Sequence, residues 1–191
     1  MTFVYIVRCN FTEPAKEQAW NDWYSGPKVR QMLEKPHFRT CQRFKRMSGG
    51  GRNYLALWTV ATPEALETAE YTAQWGFAEW QAYIADWSRD LFDGRHAPQG
   101  AFAVEPGGAL QVVSFDGMSA DQAKAASETV ARSEGALIWL PVASLDRHTP
   151  LIGLRALAPG TSATLPGDGP GGPMQAAIYR PISSLHRTRT A

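Results

Sequence analysis

The stretch Phe38-Arg39-Thr40-Cys41-Gln42-Arg43-Phe44-Lys45-Arg46-Met47-Ser48-Gly49-Gly50-Gly51-Arg52-Asn53-Tyr54-Leu55-Ala56-Leu57-Trp58-Thr59-Val60 decides how this chain is read. Tyr54 to Val60 is the clearest strand, rich in aromatic and β-branched residues. Ser48-Gly49-Gly50-Gly51 is a turn, because three glycines in a row support neither helix nor strand. Phe38 to Met47 is then the partner strand, and the two form a hairpin.

Upstream, Phe3 to Cys9 is strand-like. Thr12-Glu13-Pro14 opens a helix, with Thr12 as cap and Pro14 in the first turn. It runs to about Tyr24 and is broken by Ser25-Gly26-Pro27. A short helical piece follows from Lys28 to Glu34 and ends before Pro36. Downstream of the hairpin, Thr62-Pro63-Glu64 starts another helix. Phe77, Trp80, Ile84, Trp87 and Leu91 recur at steps of 3, 4, 3 and 4, which predicts one helix face packed on a sheet. Residues 93–109 read as a linker with a short strand over Ala101 to Val104. Then come a strand at Leu110–Phe115, a helix at Ser119–Arg132 capped by Ser119, and strands at Ala136–Val142 and Leu151–Leu157. Pro159 to Pro173 is too rich in Gly and Pro for a helix. Met174 to Pro181 is the last strand.

The order is β-α-β-β-α-β, then β-α-β-β-loop-β. That is the ferredoxin-like split βαβ pattern written twice, an α+β fold whose second copy has lost a helix to the loop. The halves span 1–97 and 98–182, and a polar, frayed tail covers 183–191. Each sheet has helices on one face only. Two such sheets placed face to face make a closed barrel with a small interior.

Composition agrees with a globular domain. The chain has 191 residues, 19 basic and 18 acidic, so nothing marks a nucleic-acid or anionic-membrane binder. No apolar run reaches the length of a membrane span, and no leader pattern opens the chain. The expectation is a soluble cytoplasmic protein. Six of the seven Trp precede residue 90, so the first half is the aromatic one, suited to a large core or a pocket for a flat ligand. Cys9 and Cys41 lie on strands that the third strand separates. Two strand spacings, about 9–10 Å, exceed the reach of a disulfide.

Candidate site residues follow from strand alternation. In Tyr54–Val60, Leu55 and Leu57 suit the helix layer, which turns Tyr54, Ala56 and Trp58 toward the barrel interior. In the first strand Val4 and Ile6 suit the helices, which puts Tyr5 inside. From Lys35 to Arg52 there are six basic residues and no acid. That describes either an edge strand protected by charge or an Arg reaching inward to hold an oxyanion. Histidine moves protons most easily near neutrality. His96 and His186 read as solvent residues and His148 as part of a hairpin turn. His37, at the entrance of the second strand, is the acid/base candidate. Asp86 and Asp90 read as surface partners of Arg89 or solvent. No dinucleotide fingerprint, nucleophile elbow or metal-spaced cluster is present. Gly169 to Gly172 lacks the Lys and following helix of a phosphate loop.

Trp23-Tyr24, then Leu33, Pro36 and Phe38, then Arg43-Phe44 resemble the EthD-like group of dimeric α/β-barrel proteins. That group carries "W-Y-x-x-E-H-x-P … L-x-x-P-G-F … R-Y" at the same spacing. Tyr54-Leu55-Ala56-Leu57-Trp58 with Pro63-Glu64 and Tyr71 is similar to its "Y-L-A-L-Y … S-P-E … Y". The resemblance covers residues 3–92, and the second half shares only the element order. Pro27-Lys28 stands where the group has Glu-His, Arg30 where it has Pro, and His37 where it has Gly. The group's acid/base histidine is therefore not carried over; Lys28 or His37 would take its place, or the site would lie in the barrel interior.

The resemblance implies a barrel that binds a small aromatic or polyketide-like molecule. It implies cofactor-independent chemistry of the isomerase, lyase or oxygenase kind, with haem left open because it needs a single ligand. It also singles out Arg43. The expected site has His37, Arg43 and Tyr54 in catalysis. Tyr5, Trp58, Trp23, Tyr24 and Lys28 bind the substrate. No nucleic acid, membrane or metal is expected, and a homodimer is. The alternative is a non-catalytic binding or interaction protein of the same fold.

Overall fold

The structure is a computed structural model that describes residues 2–133, 136–166 and 174–188. In the first half, strand β1 (Phe3–Phe11) leads to helix α1 (Glu17–Trp23), a π-helical turn at Tyr24–Lys28 and helix α2 (Val29–Leu33). Strands β2 (Phe38–Gly49) and β3 (Tyr54–Val60) form the expected hairpin, and a short helix α3 (Ala69–Thr72) precedes strand β4 (Ile84–Asp93). In the second half, strand β5 (Ala109–Phe115), helix α4 (Ala120–Ser133) and strands β6 (Ile138–Leu145), β7 (Leu151–Leu157) and β8 (Met174–Pro181) follow. A two-residue strand β9 (His186–Arg187) adds to β2. The Gly169–Gly172 run lies outside the described residues, as does the end of the tail.

The strand order β3-β1-β4-β6-β7-β5-β8-β2, closed by a β2–β3 pairing, makes an eight-stranded antiparallel barrel. Each half contributes a four-stranded ferredoxin-like set. The seams are β4–β6 and β8–β2, the fourth strand of each half against the second of the other. One chain therefore closes the barrel. Strand β2 is bonded on both sides and is not the edge strand that its charges suggested.

Apolar side chains fill most of the barrel interior. Ile6, Leu57, Phe92, Val112, Ile152 and Ala177 come from six different strands and share one core. A second core lies between the first-half sheet and its helices. It holds Tyr5, Tyr54, Ala56 and Trp58 together with Trp20 and Tyr24. The expected faces of β1 and β3 are thus reversed. An eight-stranded barrel has room only for modest side chains. The wide rings go where other rings can meet them: Trp20 and Tyr54 pack edge to face at 4.6 Å, and Trp20 stacks on Phe11 at 4.7 Å.

Two element readings are corrected. The Ser25-Gly26-Pro27 break is absent: the helix carries on through the π-helical turn. The wider turn accommodates Pro27, which has no N–H to give. The Trp-rich stripe is not a helix. Phe77 precedes a 3-10 turn at Ala78–Tyr83, and Ile84, Trp87 and Leu91 lie on β4. Asp86 has φ 46° and sits where the β1–β4 register slips, so it resets the alternation. Residues read across a bulge fall at spacings of 3 and 4, which imitates a helix.

The linker forms no strand at Ala101–Val104. It folds over one end of the barrel with Phe102 and Val104 buried. The Gln42 side chain clamps it, donating to the Val104 carbonyl at 2.9 Å and accepting from the Val104 N–H at 3.0 Å. Cys9 aligns with Tyr54 and Cys41 with Trp58, and both are buried free thiols. Burial pushes the Cys9 thiol up to about 12. Among the described residues no helix is long and apolar enough to cross a membrane.

Candidate active site

The continuous run from α1 through the π-helical turn to α2 lies over the first-half sheet. Tyr24 and Lys28 open and close that turn, and both are buried. Beneath them Tyr5 and Trp58 are cross-strand neighbours on β1 and β3. Trp87 and Arg89 come from β4, and the segment from Tyr71 to Phe77 closes the side. These residues and Met32 enclose a small cavity, with room of about 20 Å³.

Its polar groups form one set. The Tyr5 and Tyr71 hydroxyls are 3.0 Å apart, and Arg89 Nη1 donates to the Tyr71 hydroxyl at 3.4 Å. The Arg89 guanidinium also lies 4.1 Å from the centre of the Trp75 ring. Burial, with Tyr71 alongside, holds the Tyr5 phenol well above its usual range, so it stays a proton donor. Trp58 Nε1 is buried with no hydrogen-bond partner among the described residues. Lys28 Nζ donates to the Gln74 carbonyl at 2.5 Å. Burial, aided by the nearby Lys35 charge, lowers Lys28 to about 8. Lys35 Nζ itself donates to the Glu70 carbonyl and to Gln74 Oε1, each at 2.6 Å. Two lysines therefore tie down the 70–74 segment.

Of the expected site residues, Tyr5, Tyr24, Lys28 and Trp58 line this cavity. Trp23 stands beside it, its ring centre 6.0 Å from Lys28 Nζ. Arg43 and Tyr54 are elsewhere. The buried Arg43 guanidinium donates to the Asn21 carbonyl at 3.1 Å, to Asn21 Oδ1 at 3.0 Å and to the Ser25 hydroxyl at 2.9 Å. It also packs over the Tyr24 ring at 4.1 Å. The Tyr54 hydroxyl donates to Glu17 and accepts from Asn21. Both residues anchor α1. His37 is exposed at φ 70° and lies outside this cavity, so of the two proton-moving alternatives the structure places Lys28 in the cavity.

Asp90 is no surface partner of Arg89. It is buried inside the barrel, 3.7 Å from Arg8, and accepts from the His148 N–H. Asp86 pairs with Arg52 instead.

Tyr71, Trp75, Phe77, Trp87 and Arg89 were not among the expected site residues. Phe77 and Trp87 stood in the stripe misread as a helix, and Tyr71 stood in the quoted motif. Arg89 gave no signal in the sequence. Among the described residues no group of His, Cys, Asp and Glu could hold a metal. The cavity walls carry neither His nor Cys and leave room for about one water.

No protein-family model and no curated protein matches the chain. Solved structures do match in shape. An anthrone oxidase-like protein aligns with a TM-score of 0.64 at 11% identity, over 99% of this chain and 94% of that one. A protein of Lactobacillus acidophilus NCFM provisionally called a monooxygenase aligns with a TM-score of 0.50 at 8% identity, over 99% of this chain and 100% of its own. Identity this low speaks to fold alone.

Proposed function

The chain has the dimeric α/β-barrel fold, and on that premise we propose that it is a cofactor-independent enzyme. It would act on a small, flat, enolisable ketone or phenol in the cavity between the first-half sheet and its helices. The observation that carries this reading is a lysine lowered to about 8 in a cavity walled by rings and holding a Tyr–Tyr–Arg hydrogen-bond chain. A neutral amine at that position takes a proton from the carbon next to the carbonyl. The electron pair moves onto the carbonyl oxygen. The Tyr5 and Tyr71 hydroxyls, backed by Arg89, stabilise the enolate, and Trp58 Nε1 offers a further donor. Trp75 and Trp87 supply flat surface for a ring.

The enolate is shared by isomerase, lyase and oxygenase chemistry. We favour the oxygenase, since one structural neighbour is described as anthrone oxidase-like. Dioxygen would then convert a methylene to a carbonyl, with its second oxygen atom leaving as water. A substrate of that size needs more room than about 20 Å³. The segment from Trp75 to Phe77, beyond the lysine-held Gln74, would therefore swing aside as it binds. Gly76 at its tip has open space around it and φ 92°.

Oxygen uptake with anthrone as substrate tests the proposal. Lys28→Met should lower kcat by at least about 100-fold, and Tyr71→Phe by about 100-fold. Anthrone bound and recovered unchanged by the wild-type protein would support the non-catalytic reading instead. A homodimer remains part of the proposal. A single sedimenting species at 21.0 kDa would overturn it.

A further inference from the structure

A second and larger cavity, about 600 Å³, opens at the barrel end where β1 begins. Its floor is apolar, formed by Phe38, Leu57, Phe102 and Leu185. The Thr40 and Thr59 hydroxyls, hydrogen-bonded to each other at 2.6 Å, add a polar strip. His37, Arg39 and Arg187 stand in its wall. Arg187 is held opposite Thr40 by the β9 pairing, and the Thr188 N–H bonds the Arg39 carbonyl at 2.8 Å. Among the described residues no Asp or Glu lines this groove. Asp93, next to the lining residue Gly94, is already engaged by Arg95 at 2.6 Å.

A space of this size suits a metabolite-sized ligand. Charge of one sign beside an apolar floor selects a molecule with an anionic end and a hydrocarbon body. Guanidinium groups favour a carboxylate head, which they meet in a bidentate manner. We propose that this groove is a binding site for an amphiphilic carboxylate, separate from the cavity of Lys28. Phe38 is the partition. It lines the groove, and its ring packs against Tyr5, Trp58 and Tyr71 on the other side. His37, which lies outside the first cavity, stands in the rim of this groove.

Calorimetric titration of the full chain with decanoate, and with decanol as the uncharged counterpart, tests the proposal. Decanoate should bind with an affinity that falls as salt is added, and decanol at least about ten-fold more weakly. Arg187→Glu, at an exposed position, should cost about ten-fold. Gln99→Trp, which fills the groove from an exposed position in its wall, should abolish binding. Trp75→Ala, in the other cavity, should leave it unchanged. Equal binding of decanol, no binding of decanoate, or a loss on Trp75→Ala with none on Arg187→Glu would each overturn the assignment.

Discussion

Arg43 and Lys28 show how far a residue's role depends on the layer that it faces. Both were candidates from the sequence, and both are buried cations on the helix side of the sheet. Arg43 meets three oxygen acceptors from α1 and the turn that follows it, so its charge is spent on holding the helix to β2. Arg43→Met should destabilise the fold by about 3 kcal/mol, since a buried hydrogen bond to a charged group contributes about 1.5–3 kcal/mol and three acceptors lose their donor. The midpoint of urea unfolding measures it; an unchanged midpoint would show that the anchor is idle. Lys28 has one strong partner, a backbone carbonyl, and no carboxylate within ion-pair distance among the described residues. Burial and the nearby Lys35 charge therefore lower its pKa unopposed and leave an amine for chemistry. Type and spacing alone do not separate these two roles, because the acceptors of Arg43 come from backbone and from short polar side chains of a helix.

At the scale of elements, the order of strands was legible because the turns are marked by glycine and proline and the strands by β-branched and aromatic residues. Strand β3 and strands β7 and β8 have the expected bounds. The faces of β1 and β3 were not legible. Alternation says which residues share a face, but not which face meets helices when both are apolar. The stripe from Phe77 to Leu91 misled for a different reason, since a single bulge at Asp86 converts alternation into a helix-like spacing. The first cavity inherits this gap, because Trp87 and Arg89 lie just beyond that bulge. In the second half, Gly153 on β7 lies under the Trp139 ring of β6 as its cross-strand partner. A Cβ there would stand 2.7 Å from that ring, which is itself stacked on Phe115 at 5.7 Å. Gly153→Val should therefore cost about 1–3 kcal/mol through overpacking, read as a lowered Tm. A neutral result would mean that Trp139 swings away freely.

For the whole molecule, the sequence pattern written twice predicted two sheets, and their closure within one chain follows from the two seams. An ionic cluster inside the barrel ties the halves together. Asp116, just after β5, accepts from Arg8 of β1 at 3.0 Å and from Arg52 of the β2–β3 turn at 2.6 Å. Despite burial, those two guanidiniums and Thr149 hold the Asp116 carboxyl at about 2, below its ordinary 3.8. Its contribution is full above the ordinary value and is lost as pH falls from 3.8 toward about 2. Asp116→Asn should cost about 3–5 kcal/mol near neutrality, as it leaves two buried guanidiniums short of charge. The deficit should shrink in acid. A loss that persists undiminished at low pH would contradict the ionic account.

The central claim is that Lys28 removes a proton from an enolisable carbon in the first cavity. Deuterium uptake into the methylene of anthrone, followed without oxygen, tests it before any later step can intervene. The wild-type protein should accelerate the exchange, with a rate that climbs with pH and levels above about 8, as the Lys28 amine loses its proton. Lys28→Met should exchange at the uncatalysed rate at every pH. Equal acceleration by the Lys28→Met variant, or a wild-type rate that ignores pH across that range, would contradict the account.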